Sequence, residues 1–144
     1  MAKKRYIIIG GSAAGPKTAA RARRLDQDAE ITILQKDADL SMASCGYPYY
    51  VGGFFDNRNM LLSTPTGVVR DPKFFLNAKG ITAKTRTEVT SIDRTAKKVT
   101  CKNLDTGEIE ELQYDKLTLC TGATPNMPPI PGIDLNGIVT LQSM

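Results

Sequence analysis

The 144-residue chain, 41% hydrophobic and 24% charged, is long enough for one domain with its own core and has no composition signature of disorder, collagen or coiled coil. Nineteen Lys and Arg against fifteen Asp and Glu leave a net charge of +4, which suits an anionic ligand; without Trp, or basic runs interleaved with aromatics, it does not make a nucleic-acid binder. There is no His, and Cys45, Cys101 and Cys120 form no CxxC pair, which excludes histidine-based nucleophile pairs within the chain and leaves no expected metal site.

The opening "MAKKRYIIIGGSAAGP" has the basic start of a signal peptide, but its aliphatic run is only Ile7 to Ile9, and Lys17, Arg21, Arg23 and Arg24 follow at once. No stretch approaches the length of a membrane span, so neither a membrane partner nor an exported location is expected, and a cytoplasmic one is. Residues 5 to 9 read as a strand, "GGSAAG" as a tight turn, and residues 15 to 25 as a helix. On a 3.6-residue period Ala14, Thr18, Ala22 and Leu25 form a small-residue stripe suited to lie on a sheet. Lys17, Arg21 and Arg24 form a second stripe, which reads equally as a solvated face or an anion contact.

"EITILQK", residues 30 to 36, is a second strand at the spacing of a βαβ unit. Residues 54 to 70 give mixed signals. "DPKFFLNAKG" reads as a helix with Asp71 as N-cap, Pro72 in its first turn and Gly80 as its stop. From residue 81 alternation takes over, predicting a run of strands in "ITAKT", "TEVTSIDR", "KKVTCKNL" and "EIEELQY" with a hairpin at "LDTGE". "DKLTLCTG" is a last apolar strand closed by Gly122, and the proline-rich tail beyond it reads as a loop or linker.

Gly10, Ser12 and Gly15 occupy the three positions of GxGxxG, with Gly11, Ala13 and Ala14 between them and Ser12 where the middle glycine is expected. Between a strand and a helix this turn lets backbone approach a pyrophosphate at a helix N-terminus, whose free N–H groups and dipole favour the anion. An acidic residue about 20 positions further on ordinarily binds the ribose hydroxyls. Here that place holds Gln35, which can hydrogen-bond a hydroxyl without the strength a carboxylate adds.

"SMASCGYPYY" sets Cys45 where a helix can open behind it, with Ser41 and Ser44 as donors to sulfur. A helix N-terminus lowers a thiol pKa from about 8.5, so Cys45 reads as a reactive sulfur against the alternative of a small buried hydrophobe. Cys101 and Cys120 fall inside strand patterns and read as buried small hydrophobes.

"GGSAAGPKTAARARRLD", "SMASCGYPYY" and "LTLCTGATPNMPPIPGID" together resemble the single-cysteine FAD-dependent pyridine nucleotide-disulfide oxidoreductases, within them the coenzyme A disulfide reductases and NADH-dependent persulfide or polysulfide reductases. The resemblance implies an α/β fold: a three-layer Rossmann-like FAD-binding domain with a parallel sheet, helices and an antiparallel β-meander. It implies a first FAD-domain segment at 1–125 and a linker at 126–144 toward an NAD(P)H-binding domain outside this chain, in a homodimeric parent. FAD would be held by Gly10 to Gly15, Gln35, Lys36, the backbone near Val89, and Thr121 with Gly122. Cys45 would be the redox centre, lined by Ser41 and Ser44, and Lys17, Arg21, Arg24 and Lys73 would contact the phosphates of a small thiol or disulfide such as coenzyme A. By this reading the 144 residues do not complete a catalytic cycle by themselves and can act as a noncatalytic FAD-binding module. An NADH oxidase cycling Cys45 through sulfenic acid is the alternative enzyme; peroxidase relatives usually carry a histidine where this chain has Ala13.

Overall fold

Ile7, Ile8 and Ile9 build the centre of the molecule. The computed structural model describes residues 3–142, so the last two residues of the expected 126–144 linker lie outside it. It places these isoleucines in strand β1 (Arg5–Ile9), where period-2 alternation sends Ile8 to one face of a sheet and Ile7 and Ile9 to the other, all buried. A strand buried on both faces is the central strand of a parallel sheet. Around it the chain runs α1 (Ala14–Leu25), β2 (Glu30–Leu34), α2 (Tyr47–Val51), α3 (Pro72–Lys79), β3 (Thr82–Lys84), β4 (Thr87–Asp93), β5 (Lys98–Asn103), β6 (Ile109–Gln113) and β7 (Lys116–Leu119).

The parallel sheet has the order β3-β2-β1-β7, and β4, β5 and β6 form a separate antiparallel sheet. Ile8, Ile31 and Ile33 pack with Ala19 of α1 and Phe75 of α3 on one face. Ile7, Ile9 and Leu34 pack with Val99, Cys101 and Tyr114 of the meander region on the other. The architecture is therefore helices, parallel sheet and antiparallel sheet in three layers, the Rossmann-like arrangement expected.

Local signals place several elements. Asp71 caps α3 by accepting the Phe74 N–H at 2.7 Å, and Gly80 ends it at φ +60, with its own N–H bonded to the Leu76 carbonyl. The β5–β6 hairpin turns through Gly107 at φ +78, closed by the Asn103 N–H on the Glu108 carbonyl at 2.8 Å. Residues 35–71, between β2 and α3, carry a small core of Met42, Tyr47, Leu61 and Leu62. Residues 126–142 form turns and exposed chain without helix or strand. Among the described residues no helix is long and apolar enough to cross a membrane.

Two expectations are corrected. "ITAKT" does not open the meander: Thr82–Lys84 pairs parallel with Thr32–Leu34, because α3 immediately before it carries the chain back across the sheet as a crossover connection. The buried face of α1 is Gly15, Pro16 and Ala19, with Ala22 partly buried, whereas Ala14 is exposed and Leu25 is 70% exposed. The phase of the helix is set by Gly15, which must lie against the Gly10 carbonyl, and the one apolar residue large enough to suggest another phase stays in solvent.

Ile33 is fully buried between the two helices and the sheet, so Ile33→Ala is expected to cost about 2–5 kcal/mol. Ile109→Ala, at a 70% exposed position, is expected to cost under about 0.5 kcal/mol. Urea unfolding midpoints of the two variants check the pair.

Candidate functional site

The carboxyl ends of β2, β1 and β7 lie side by side, since Ile9 pairs with both Leu34 and Leu119. Gly10, Gln35 and the Thr121-Gly122 pair therefore emerge at one edge of the sheet, where open α/β folds bind ligands. Gly10 has φ +107, and a Cβ there would lie 2.1 Å from the Cys120 carbonyl oxygen. A Cβ on Gly15 would lie 1.8 Å from the Gly10 carbonyl oxygen. Both positions require glycine, one for conformation and both for space.

Ser12, Ala13 and Ala14 are exposed on the rim of this turn. The N-terminus of α1 has no side-chain cap and no acidic residue in its first turn, so its leading N–H groups and its dipole are available to an anion. That combination fits a pyrophosphate, and an exposed serine in the middle glycine's place does not obstruct it. Thr121 and Gly122 are exposed beyond β7, with Gly122 at φ +69.

The remaining expected cofactor residues carry internal bonds. Gln35 is buried; its side-chain oxygen accepts the Gly11 N–H at 2.7 Å and its amide nitrogen donates to Asp37 at 3.2 Å. Lys36 is exposed and ion-paired with Glu88 at 2.7 Å, a contact that holds its pKa above the ordinary lysine value. Val89 is half-buried on the meander opposite Cys101, at the start of an irregularity in the β4–β5 register.

The segment that delivers Cys45 is tied to the glycine turn. Ser41 has a left-handed backbone, φ 55, and its N–H donates to the Gly11 carbonyl at 2.7 Å. The chain then passes through a single 3₁₀ turn, Ser44–Gly46, before α2 begins at Tyr47 with Pro48 in its first turn. Cys45 is exposed in that 3₁₀ turn. The expected helix N-terminus behind it is thus corrected: α2 is five residues long and starts two residues later, where proline's fixed φ suits a first turn. Among the described residues neither Ser41 nor Ser44 donates to the Cys45 sulfur, because Ser41 is turned by its bond to Gly11 and Ser44 enters the 3₁₀ turn exposed. Gly46 is required here as well, since a Cβ would lie 2.4 Å from Leu61 Cδ2 of the small core.

Beside the turn lies a cleft of about 470 Å³ between α1, α3 and the irregular chain before Cys45. Its lining takes Ser12, Ala13, Lys17 and Arg24 from the glycine turn and α1, and Ser41, Met42 and Ala43 from the cysteine segment. Of the expected phosphate contacts it includes Lys17 and Arg24 but not Arg21 or Lys73, both exposed elsewhere on their helices. Arg70 and Lys79, with Thr64, Phe74 and Phe75, are lining residues that sequence reasoning missed. Four cations and no carboxylate face this cleft. Arg70 is oriented by its own backbone: Nε donates to the Leu62 carbonyl at 3.0 Å, and its N–H to the same oxygen at 3.0 Å.

The other cysteines behave as structural residues. Cys101 is fully buried in the meander-side core, where burial, with the nearby Glu110 adding to it, pushes its pKa up to about 11. Cys120 is partly buried, and its N–H donates to the Ile9 carbonyl at 2.7 Å. Among the described residues no group of three or more His, Cys, Asp or Glu could hold a metal ion.

Comparison with known proteins covers nearly the whole chain. The family described as pyridine nucleotide-disulphide oxidoreductase matches residues 4–144. A coenzyme A disulfide reductase of Staphylococcus haemolyticus is 40% identical over 141 residues, covering 98% of this chain and 30% of that protein. An NADH oxidase of Methanocaldococcus jannaschii is 32% identical over 140 residues, covering 97% and 30%. The solved structure of a NAD-dependent persulfide reductase from A. fulgidus superposes with a TM-score of 0.91 at 45% identity, covering 96% of this chain and 25% of that one. The chain thus spans about 30% of the length of the curated relatives it matches.

The environments of the thiols set an order of reactivity. Iodoacetamide at pH 8 is expected to label Cys45 in the native protein and Cys101 only after unfolding, read by peptide mass. A thiol whose folded pKa is raised favours the folded state below its unfolded pKa and loses that contribution as pH climbs to the folded value. Native stability is therefore expected to fall between about pH 9 and about pH 11. Cys101→Ala should show a shallower fall than the native chain in urea unfolding across that range.

Proposed function

The chain belongs to the pyridine nucleotide-disulphide oxidoreductase family, and from that premise we propose that it forms the FAD-binding portion of an NAD(P)H-dependent flavoprotein that reduces the sulfur–sulfur bond of coenzyme A disulfide, a persulfide or a polysulfide through Cys45. The observation that carries this reading is the cleft: Lys17, Arg24, Arg70 and Lys79 converge, without a carboxylate, on a space lined by the residues that lead into an exposed cysteine. Such a lining suits a thiol carried on a phosphorylated handle, because several cations can neutralise phosphates while Phe74 and Phe75 cover an apolar arm. We assign to Lys79, which lines the cleft, the phosphate contact that the resemblance implies for Lys73.

The chain's residues have separable tasks. Gly10 to Gly15 and the N-terminus of α1 would hold the pyrophosphate of FAD, with Gln35 and Lys36 at the end of β2, Val89 on the meander, and Thr121 and Gly122 beyond β7 around it. The Cys45 thiolate attacks the disulfide or persulfide, one sulfur leaves as a thiol or sulfide after taking a proton, and Cys45 remains in a mixed disulfide or persulfide. FAD, when bound, would supply the two electrons that return Cys45 to the thiolate, drawn from NAD(P)H bound elsewhere in the full-length protein. Ser41 and Ala43 keep the reacting segment at the mouth of the cationic cleft.

An oxidase reading is favoured by the exposure of Cys45 and by the NADH oxidase relative: oxygen, taken to hydrogen peroxide by two electrons and two protons with NAD(P)H as the electron source, would pass one oxygen atom to the Cys45 thiolate, giving a sulfenic acid while the other oxygen leaves as water. NAD(P)H consumption by the full-length protein separates the two. Coenzyme A disulfide, coenzyme A persulfide or polysulfide is expected to turn over faster than oxygen, and turnover of oxygen alone would remove the sulfur-reductase reading. Cys45→Ser is expected to lower sulfur-substrate turnover at least about a thousandfold with FAD retained. Lys79→Ala is expected to raise KM for coenzyme A disulfide about tenfold, and Lys73→Ala to leave it unchanged.

A further inference from the structure

We propose, resting on the dinucleotide reading above, that Asp37 supplies the carboxylate that recognises the adenosine ribose hydroxyls and that Gln35, two residues closer to the glycine turn, is its positioning residue. Gln35 is 5% exposed and committed on every side. Its backbone N–H donates to the Lys84 carbonyl and its carbonyl accepts the Thr87 N–H, each at 2.9 Å. The side-chain oxygen accepts the Gly11 N–H at 2.7 Å, and the side-chain nitrogen donates to Asp37 Oδ2 at 3.2 Å.

This amide has only one workable direction. The Gly11 N–H needs an acceptor and the Asp37 carboxylate needs a donor, so reversing the group would set like against like at both ends. A glutamate at position 35 could serve Gly11, but it would bring a second carboxylate to within hydrogen-bonding distance of Asp37. Glutamine removes that conflict and holds the Asp37 carboxylate one amide group away from the glycine turn.

Asp37 has the exposure and the free valence that Gln35 lacks. It is exposed at the end of β2, and among the described residues it forms no ion pair, whereas Asp39 two residues on is held by Arg58. Oδ2 is fixed by Gln35, and among the described residues Oδ1 accepts no hydrogen bond. A ribose offers hydroxyl donors, and charge-assisted bonds to a carboxylate are the strong ones. The acid that open α/β folds use at the end of the second strand is therefore displaced in this chain by two positions, from 35 to 37.

The test is binding to apoprotein prepared from the full-length holoprotein, by calorimetric titration with FAD and with the FAD analogue lacking the adenosine 2′-hydroxyl. The native protein is expected to bind FAD about tenfold more tightly than the analogue, the value of one charge-assisted hydrogen bond. Asp37→Asn should abolish that preference, and Asp37→Glu should keep part of it. Gln35→Leu, which removes the bond that holds the Asp37 carboxylate, should lose part of that preference and speed hydrogen exchange at the Gly11 amide, which Asp37→Asn should leave alone. Retention of the preference in Asp37→Asn overturns the assignment of Asp37, an unchanged preference in Gln35→Leu overturns the positioning role of Gln35, and neither result touches the FAD reading. A native apoprotein that takes up neither ligand would overturn the FAD reading and this inference together. Asp37 is exposed, so its variants keep the test decisive even if Gln35→Leu, which orphans a buried N–H, does not fold.

Discussion

The contact on which the rest of the structure depends is the approach of Gly15 to the Gly10 carbonyl. No side chain fits between them, since a Cβ on Gly15 would lie 1.8 Å from that oxygen, and Gly10 itself turns at φ +107 against the end of β7. This contact fixes where α1 leaves the sheet and at what rotation. Its rotation puts Ala19 on the sheet and Lys17 and Arg24 into the cleft, so the core and the cationic lining are set by one close approach. The same tight exit leaves the first N–H groups of α1 uncapped at the carboxyl edge of the sheet.

Gly11, in the middle of this turn, ties the two halves of the site together. Its N–H is held by Gln35 from the end of β2, and its carbonyl is held by the N–H of Ser41 on the way to Cys45. Ser41 adopts a left-handed backbone there, a conformation costly for a residue with a Cβ and sustained by the bond it makes. Beyond it Met42 enters the small core with Tyr47, Leu61 and Leu62, and Gly46 lets Leu61 approach the backbone. Cys45 is thus presented in solvent by a segment anchored at both of its ends.

Much of this was legible in the residues because the signals are local. Asp71, Pro72 and Gly80 mark both ends of α3 by chemistry that needs no tertiary partner, and Gly107 marks the hairpin in the same way. The turn from Gly10 to Gly15 is recognisable because the positive φ of Gly10 and the approach of Gly15 to the Gly10 carbonyl are both requirements met within six residues. What was hidden depends on partners distant in sequence. Leu25 looked like a core residue on a helical wheel, but the phase of α1 is set by the Gly15 contact, which hydrophobic periodicity does not weigh. "ITAKT" alternates like its neighbours, and only its place after a crossover helix assigns it to the parallel sheet. Arg70 and Lys79 carry no motif; a turn closed by the Ser63–Val69 bridge and the last turn of α3 bring them to a cleft whose α1 wall is more than forty residues earlier. Lys73, which the family resemblance implied as a phosphate contact, is exposed on α3 and is not part of the cleft's lining.

The proposed function requires that the cationic cleft and Cys45 act on one substrate, a phosphorylated thiol in oxidised form. The most direct measurement is the rate at which Cys45 is converted to a mixed disulfide, followed by intact mass in the full-length holoprotein whose Cys45 has been reduced to the free thiol and desalted, with coenzyme A disulfide and with pantethine, the phosphate-free disulfide of the same arm. One coenzyme A adduct on Cys45 is expected, formed at least about tenfold faster than the pantetheine adduct, with the advantage lost in high salt. Equal rates for the two disulfides, or an adduct that persists in Cys45→Ser, would contradict it.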